Sequence, residues 1–345
     1  MDVVQPPMVV TKTGATPPDP DLPSRGPTVR QKLELSALRV AVALARRAPL
    51  SWCTATGAAL AWTIGPWLRQ SRRALANLEL AFPDRPPAER RRIMRAMWAN
   101  MGRTFAETLV VERIVADPRR IELVDAEHWQ AQFAEPGPTI ACTLHMGSWE
   151  LAIQPLNRFG RKPVGVYKPI ANPLVDRWLA ETRAPLFPGG LIAKGEDDDT
   201  RSGQRAARQL IDLARKGGSI GLVIDHVDRR GMPIPFLGRS ARFTTAPAMI
   251  ARHVGARLWV GRCVRIGKES RFRMEIREVA VPRTQDKTAD VRALTTAIFV
   301  IFEEWIRDCP EQWMWWNTRF VSPETAPDLA TATEGAAAHS EVRGQ

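Results

Sequence analysis

The sequence predicts an α/β protein whose mixed, mostly parallel sheet is flanked by helices, preceded by an N-terminal helical region able to anchor it to a membrane. Three observations support this. Residues 118–320 alternate short apolar runs with helical patterns, as expected of a sheet covered by helices. The 345-residue chain is 44% hydrophobic and 25% charged, which is typical of a globular protein. No charged residue occurs from Leu50 to Leu68.

Composition divides the chain into four regions. Residues 1–29 are rich in proline and lack the apolar stretch of a signal peptide, so we expect a disordered leader. Residues 30–117 carry helical patterns, and residues 118–320 form the α/β domain. Residues 321–345 are rich in alanine, threonine and glutamate and should form a disordered tail.

The possible anchor is the uncharged segment 50–68, which is bounded by arginines on both sides. It is just long enough to cross roughly 30 Å of hydrocarbon, but its threonines and glycines weaken that interpretation. Two alternatives remain open: a buried core helix, and an interfacial helix with Trp52, Trp62 and Trp67 at headgroup depth. The mean hydropathy of −0.23 excludes a protein with many membrane spans.

A basic helical hairpin follows the possible anchor. Arginines are frequent from Arg69 to Arg95, where one helical pattern ends at Pro83 and a second runs from Ala88 to Val111. The second helix is expected to bury one face, formed by Ile93, Met97, Met101 and Phe105. A solvated charged face is the alternative, but with a net charge of +12 a basic hairpin beside an apolar segment favours an anionic membrane surface as a partner. Nucleic acid is not expected, because neither a helix-turn-helix nor an RNA-binding aromatic motif is present.

The α/β domain contains five strand candidates and five helix candidates. The strands are Thr139–Leu144, Pro163–Tyr167, Ser219–Ile224, Leu258–Val264 and Phe272–Val279. The helices are Leu151–Phe159, Pro173–Arg183, Arg201–Lys216, Ala246–Val254 and Thr288–Arg307. The four cysteines are scattered and form no C-x-x-C pair, which favours free thiols. We therefore predict neither a metal nor a cofactor.

The motif HMGSWE carries the most chemical information. It follows the strand that ends at Leu144, so His145 should lie at the carboxyl edge of the sheet, where ligand sites of open α/β sheets gather. Gly147 permits a tight turn, and Glu150 opens the next helix. The Glu150 carboxylate could then fold back onto Nδ1 of His145, leaving Nε2 to take a proton from a substrate hydroxyl. The alternative is that His145 and Glu150 are structural, since the H-x4-E spacing also occurs by chance.

Several blocks of the sequence, in order, resemble the lipid A (lauroyl/myristoyl-type) branch of the glycerolipid and lysophospholipid acyltransferases, whose signature is H-x4-D/E. The blocks cover roughly residues 69–320. They are RRALANLELAFPDRPPAERRRIMRAMWANMGRTFAE, HMGSWE, VYKPIANPLVDRWL, GLVIDHVDRRGMPIPFLGRSARFTTAPAMIARHVGA and PEQWMWWNTRF.

The resemblance implies transfer of a fatty acyl group to a hydroxyl of a phosphorylated glucosamine glycolipid at the cytoplasmic face of the inner membrane. The donor it implies is acyl carrier protein, with acyl-CoA as the alternative co-substrate. His145 would be the general base and Glu150 its orienting acid. Arg103 and either Lys168 or Arg183 would contact phosphate or the oxyanion. Asp225 would line the acceptor side.

The sequence departs from the family pattern at three positions. It has Lys168 where the family has arginine, which weakens the expected phosphate contact because lysine lacks the bidentate fork. His226 stands for glutamine and could be a second base beside Asp225, although a surface histidine is the simpler interpretation. Asn317 stands for histidine. Of Trp313, Trp315 and Trp316 we expect two in the core.

Two other functions remain open. The same chemistry could act on another lipid acceptor, such as a lysophospholipid, an aminolipid or a phosphoinositide mannoside. A different class is a non-catalytic basic protein that binds membranes or nucleic acid, which would show salt-dependent affinity for polyanions without turnover.

Overall fold

The computed structural model describes residues 26–194, 200–318 and 320. Most of the predicted leader, residues 1–25, and the predicted tail from 321 onward therefore lie outside the described residues. The predicted leader extends to residue 29, but the first helix already begins at Val29. Thr28 caps that helix, because its side chain accepts a hydrogen bond from the Gln31 backbone N–H.

The centre of the molecule is a seven-stranded mixed sheet with the order β1-β9-β8-β2-β5-β3-β4. Strands β8, β2, β5, β3 and β4 are parallel, whereas β9 is antiparallel to β8 and parallel to β1. A separate antiparallel hairpin pairs β6 with β7. The strands are β1 Ile121–Leu123, β2 Thr139–Thr143, β3 Pro163–Tyr167, β4 Gly190–Ala193, β5 Ser219–Val223, β6 Val227–Phe236, β7 Arg239–Phe243, β8 Arg257–Arg265 and β9 Phe272–Val279. The predicted sheet type is confirmed.

Helices cover both faces of the sheet. One face packs side chains such as Ile140 and Leu258 into the larger core cluster. The other face packs Trp259 against α6 and the segment after β2. The helices are α1 Val29–Arg47, α2 Leu50–Ile64, α3 Arg69–Ala81, α4 Pro87–Thr108, α5 Val111–Val115, α6 Ala126–Ala134, α7 Gln154–Arg158, α8 Pro173–Arg183, α9 Thr200–Arg215, α10 Ala246–Val254 and α11 Lys287–Asp308.

The predicted anchor segment forms α2 and a short 3-10 turn, and α2 packs along α4. The two helices approach so closely that a Cβ added at Gly57 would lie 2.4 Å from the Gly102 carbonyl oxygen. In the described part of the chain, no helix combines the length and apolarity needed to cross a membrane. One side of α2 is thus packed against protein, and its opposite side exposes Trp52 and Trp62.

Local sequence explains where several elements begin and end. Asn172 caps α8 by accepting a hydrogen bond from the Leu174 backbone N–H at 3.0 Å, and Pro173 occupies the first helical position. The predicted helix Leu151–Phe159 is instead a 3-10 segment, Trp149–Ile153, followed by α7. Pro155 explains this break, because it has no N–H to donate to the preceding helical turn.

The aromatic predictions are confirmed in the C-terminal block and fail at one position of α4. Trp313 and Trp315 are fully buried, whereas Trp316 is only partly buried and stacks on Trp98 at 4.5 Å between ring centroids. Phe105, which we expected on the buried face of α4, is 55% exposed. Its ring lies edge-on to Trp149 at 6.4 Å instead of joining the core.

Candidate functional site

Two neighbouring parallel strands bring His145 and Asp225 together. Thr143 of β2 pairs with Val223 of β5, so the residues two positions beyond each strand end meet at the carboxyl edge of the sheet. Nδ1 of His145 lies 2.6 Å from one Asp225 carboxylate oxygen, and the His145 backbone N–H donates to the other at 2.9 Å. The imidazole is therefore held by both its ring and its backbone.

Asp225 is fully buried, and a third group donates to it: the indole N–H of Trp313, at 2.8 Å. Burial alone would raise the pKa of Asp225. The charge of His145 and the hydrogen bonds from His145 and Trp313 outweigh that effect, so its pKa lies below the ordinary value. An ionised Asp225 accepts from Nδ1–H, and this tautomer leaves the lone pair of Nε2 available for a proton.

Glu150 does not occupy the position expected of it. Its carboxylate is buried within the 3-10 segment Trp149–Ile153 and accepts a hydrogen bond from Nη2 of Arg183. The prediction that Glu150 orients His145 is thus wrong for this structure, because Asp225 already occupies Nδ1. The local spacing suggested a carboxylate folding back within one turn, but the pairing of β2 with β5 brings a carboxylate from 80 residues away.

The turn between His145 and Glu150 requires glycine. Gly147 has φ = +58°, and a Cβ there would lie 1.8 Å from the Cys263 carbonyl oxygen. Hydrogen bonds to neighbouring segments fix the turn on both sides: the Ser148 N–H donates to the Cys263 carbonyl at 3.0 Å, and the Gly147 N–H donates to the Gln312 carbonyl at 2.9 Å. The turn is therefore built tightly against β8 and the C-terminal block.

The buried thiols near the sheet are poor nucleophiles. Burial raises the pKa of Cys142 and of Cys263 far above the ordinary value. Since the thiolate is the reactive form, neither side chain is suited to form an acyl-enzyme. The imidazole of His145, one-fifth exposed, is the basic group that the edge of the sheet offers to a substrate.

An apolar cavity of about 60 Å³ lies between the sheet and the segment that follows the turn, and the ring of Trp149 separates it from this histidine. Small residues of three strands, Ala141, Gly221 and Gly261, form one wall of it. Trp149 lines its side nearest the site, and its ring centroid is 5.3 Å from that of His145. The site thus combines a base with adjoining apolar space.

The bacterial lipid A biosynthesis acyltransferase family model matches residues 31–322. The chain belongs to this family. It is also 29% identical over 273 residues to the lipid A biosynthesis lauroyltransferase of Escherichia coli (strain K12), an alignment that covers 75% of this chain and 82% of that protein. Family membership identifies the protein as an acyltransferase and excludes the non-catalytic alternative.

The other residues expected to bind substrate fall into two groups in this acyltransferase. Arg183 joins the site through its ion pair with Glu150. Arg103 extends to the loop after β8, where Nη1 donates to the Lys268 carbonyl at 3.0 Å, and Lys168 is an exposed residue just after β3. Neither of these last two contacts His145 or Glu150 in the hydrogen bonds of the described residues.

His226 is an exposed residue whose Nδ1 lies 3.2 Å from the Val227 carbonyl oxygen, which matches the simpler interpretation of a surface histidine. Sequence reasoning missed the role of Trp313 as a donor to Asp225. It also missed Asn100, Thr104 and Glu107, although all three fall within the block ANMGRTFAE. That block was assigned a substrate role only at Arg103.

Proposed function

We propose that this acyltransferase moves a fatty acyl group from acyl carrier protein to a hydroxyl of a phosphorylated glucosamine glycolipid, a lipid A precursor. His145 is the general base, and Asp225 orients it. The observation that carries the proposal is the 2.6 Å contact between Nδ1 and the Asp225 carboxylate, which leaves Nε2 directed away from that partner. The family match supports lipid A as the acceptor class.

The proposed reaction needs one base and no covalent intermediate on the enzyme. The acceptor oxygen attacks the thioester carbonyl carbon while Nε2 of His145 takes its proton. The tetrahedral intermediate then expels the thiolate by breaking the C–S bond, and the imidazolium returns the proton to the sulfur. The ionised Asp225 stabilises the imidazolium that forms between these two steps.

Arg183 is the proposed contact for the oxyanion or for a lipid phosphate. Glu150 fixes one of its terminal nitrogens, and the buried Nε of Arg183 has no hydrogen-bond partner within the described residues. Donors aimed at developing negative charge are a strong source of catalysis. Arg103 and Lys168 are the further candidates for phosphate contacts, because each carries a cationic side chain on an element that borders the site.

The cavity beside Trp149 is the proposed space for part of the acyl chain, since at about 60 Å³ it is smaller than the roughly 150 Å³ cavity that binds a single benzene molecule. Its wall consists mainly of apolar side chains and of glycines that leave room against the sheet. The rings of Phe105, Trp149 and His145 follow one another at 6.4 and 5.3 Å between centroids, so an apolar surface leads from the exposed ring of Phe105 to the imidazole. This arrangement supports a hydrophobic acyl chain as the transferred group.

The proposed location is the cytoplasmic face of the inner membrane, with α2 lying on the bilayer surface. Trp52 and Trp67 are 70% and 87% exposed, and the outward side of α2 carries no charge. Arginines border this apolar surface, and the guanidinium of Arg95 lies 5.1 Å from the ring centroid of Trp62. Aromatic residues beside basic ones favour an anionic lipid surface.

The test is acyl transfer in vitro from lauroyl-loaded acyl carrier protein to a tetraacylated lipid A precursor, followed by mass spectrometry. We expect His145→Ala to lower kcat by about 10²–10⁴-fold. The matched control is His128→Ala at an exposed position, which should retain wild-type turnover.

The same assay separates the alternatives. Faster transfer from lauroyl-CoA than from the carrier protein would identify acyl-CoA as the donor. Turnover only with a lysophospholipid would identify that lipid class, and not a lipid A precursor, as the acceptor. Near wild-type turnover by His145→Ala would refute the mechanism.

A further inference from the structure

A buried polar network joins the turn between His145 and Glu150, called the catalytic turn from here on, to α4 and β8. The carbonyl oxygen of Gly147 accepts two hydrogen bonds from α4, one from the Thr104 hydroxyl at 2.8 Å and one from the Asn100 amide at 3.3 Å. Both donors are buried, and they lie one helical turn apart on the same side of α4. The centre of the turn is therefore held by the helix that also packs against α2.

Arg265, at the end of β8, fixes the direction of both of these hydrogen bonds. Its Nε donates to Oδ1 of Asn100 at 3.0 Å, which leaves the amide nitrogen facing Gly147. Its Nη2 donates to the Thr104 hydroxyl oxygen at 3.2 Å. Because arginine only donates, the hydroxyl proton of Thr104 must point elsewhere, and the Gly147 carbonyl is its acceptor.

Glu107 compensates the buried charge of Arg265. The two side chains are 2% and 3% exposed, and the Arg265 guanidinium donates to both carboxylate oxygens of Glu107. The hydroxyl of Ser270 donates to the same carboxylate at 2.7 Å. A buried pair of this kind often adds no more net stability than apolar residues of equal volume, whereas removing one partner leaves the other charge buried and uncompensated.

Arg265 also reaches the other side of the turn through Gln312. The Arg265 N–H donates to the Gln312 side chain at 2.8 Å, and that side chain donates back to the Arg265 carbonyl at 3.1 Å. The Gln312 backbone carbonyl in turn accepts from the Gly147 N–H. Both polar groups of the Gly147 backbone are thus set by residues that Arg265 orients.

We propose that Arg265 and Glu107, acting through Asn100 and Thr104, are positioning residues for acyl transfer. They set the place of Gly147 and so the separation between the His145–Asp225 pair and the Glu150–Arg183 pair, which flank this glycine. The proposal rests on the proposed function of His145. A displacement of about 1 Å at such a site costs on the order of 100-fold in rate.

The decisive variant is Thr104→Val, which keeps the shape of the side chain and removes the hydroxyl. We expect kcat to fall about 10–100-fold with KM nearly unchanged, because the base is misplaced relative to the bound acyl group. Thr104→Ser keeps the hydroxyl and should restore kcat to within about threefold. The nitrogen chemical shifts of the His145 imidazole should change in Thr104→Val and remain at wild-type values in Thr104→Ser.

Arg265→Lys and Arg262→Lys form the matched pair. Arg262 lies on the same strand, its side chain is 9% exposed, and it pairs with Glu275 instead of contacting the turn. If the two variants have equal free energies of unfolding, kcat should fall in Arg265→Lys and remain at the wild-type value in Arg262→Lys. If Arg265→Lys fails to fold, the two threonine variants decide.

Wild-type kcat and imidazole shifts in Thr104→Val would overturn the positioning role, as would equal losses in the two lysine variants. The two proposals fail separately. Retained turnover in His145→Ala refutes the proposed function. An inactive His145→Ala variant together with a fully active Thr104→Val variant refutes only the positioning role.

Discussion

A buried carboxylate with three donors orients the candidate base. Asp225 receives the Nδ1–H and the backbone N–H of His145 and the indole N–H of Trp313. Burial opposes the ionised form, but the charge of His145 and each of these hydrogen bonds favour it, so the pKa of Asp225 lies below the ordinary value. Asp225, which orients His145, is therefore itself fixed by hydrogen bonds. The two side chains are in place before any substrate binds.

The lowered pKa of Asp225 predicts a pH-dependent contribution to stability. Because the pKa is lower in the folded than in the unfolded chain, the stabilisation is present above the unfolded value of about 3.9 and is lost as the pH falls through the folded value. Urea unfolding of the wild type and Asp225→Asn at several pH values below about 4 should show a difference in the free energy of unfolding that shrinks on acidification. A difference that grows as the pH falls within this acid range would contradict the assignment.

Asp225→Asn should also reduce catalysis. An amide at this position no longer enforces the tautomer with Nδ1–H, so kcat should fall by about 10³–10⁴-fold, as for other base-orienting carboxylates. The control is Asp228→Asn, three residues along the chain, whose carboxylate accepts from the Arg230 backbone N–H. Equal activity of the two variants would remove Asp225 from the mechanism.

At the scale of elements, the close approach of the catalytic turn to β8 depends on one residue without a side chain. Gly147→Ala would meet the Cys263 carbonyl oxygen in addition to adopting a positive φ. We expect a loss of more than about 1 kcal/mol in the free energy of unfolding, together with loss of turnover. Chemical denaturation and the acyl-transfer assay measure both effects.

Gly267→Ala is the matched control, because its φ is +64° and nothing lies within 4 Å of a Cβ at that position. It carries the backbone strain without the clash. The difference between the two variants therefore isolates the packing of the turn against β8. Equal destabilisation would mean that strain alone accounts for the effect of Gly147→Ala.

The elements that sequence predicted best are those whose limits are set by local chemistry. Strand β3 and helix α8 have the predicted bounds, and α8 begins at the cap that Asn172 and Pro173 provide. The hairpin β6–β7 was missed, because Pro233 and Pro235 lie inside β6 and argue locally against a strand. His145 was placed correctly at the carboxyl edge of the sheet for the same local reason.

The partner of His145 could not be predicted in this way. Asp225 reaches Nδ1 only because β5 is the neighbour of β2, and strand order is a property of the whole sheet. Glu150 was the available acid at short sequence distance, but Arg183, 33 residues later, binds it. The sequence contains a signal for this pair, because a titratable residue follows the end of each strand, in Leu144–His145 and in Ile224–Asp225. The signal can be used only if the two strands are known to be adjacent.

At the scale of the whole molecule, α4 is the layer between the proposed membrane surface and the catalytic turn. Gly102 of α4 contacts α2, and Asn100 and Thr104 of the same helix donate to Gly147. The exposed tryptophans of α2 and the exposed ring of Phe105 on α4 are the apolar surfaces that the proposed membrane contact would use. Removing residues 1–68 would also strip α2 from α4, so surface substitutions test membrane binding more cleanly than truncation.

The double variant Trp52→Ser, Trp67→Ser should bind anionic phospholipid vesicles about tenfold or more weakly, since each lost tryptophan removes a large apolar area from the interface. Cosedimentation at low and high salt measures this. Val300→Ser on α11, 55% exposed in the wild type, is the control and should bind normally. Undiminished binding by the double variant at both salt concentrations would place the contact surface elsewhere.

The most direct test of the central claim is the mass spectrum of lipid A from cells in which the gene is deleted and then complemented. The account predicts that the deletion yields a species short by one acyl group. The wild-type gene should restore the full species, whereas His145→Ala and Asp225→Asn should not, at equal protein levels. Unchanged lipid A in the deletion strain, or full restoration by His145→Ala, would contradict it.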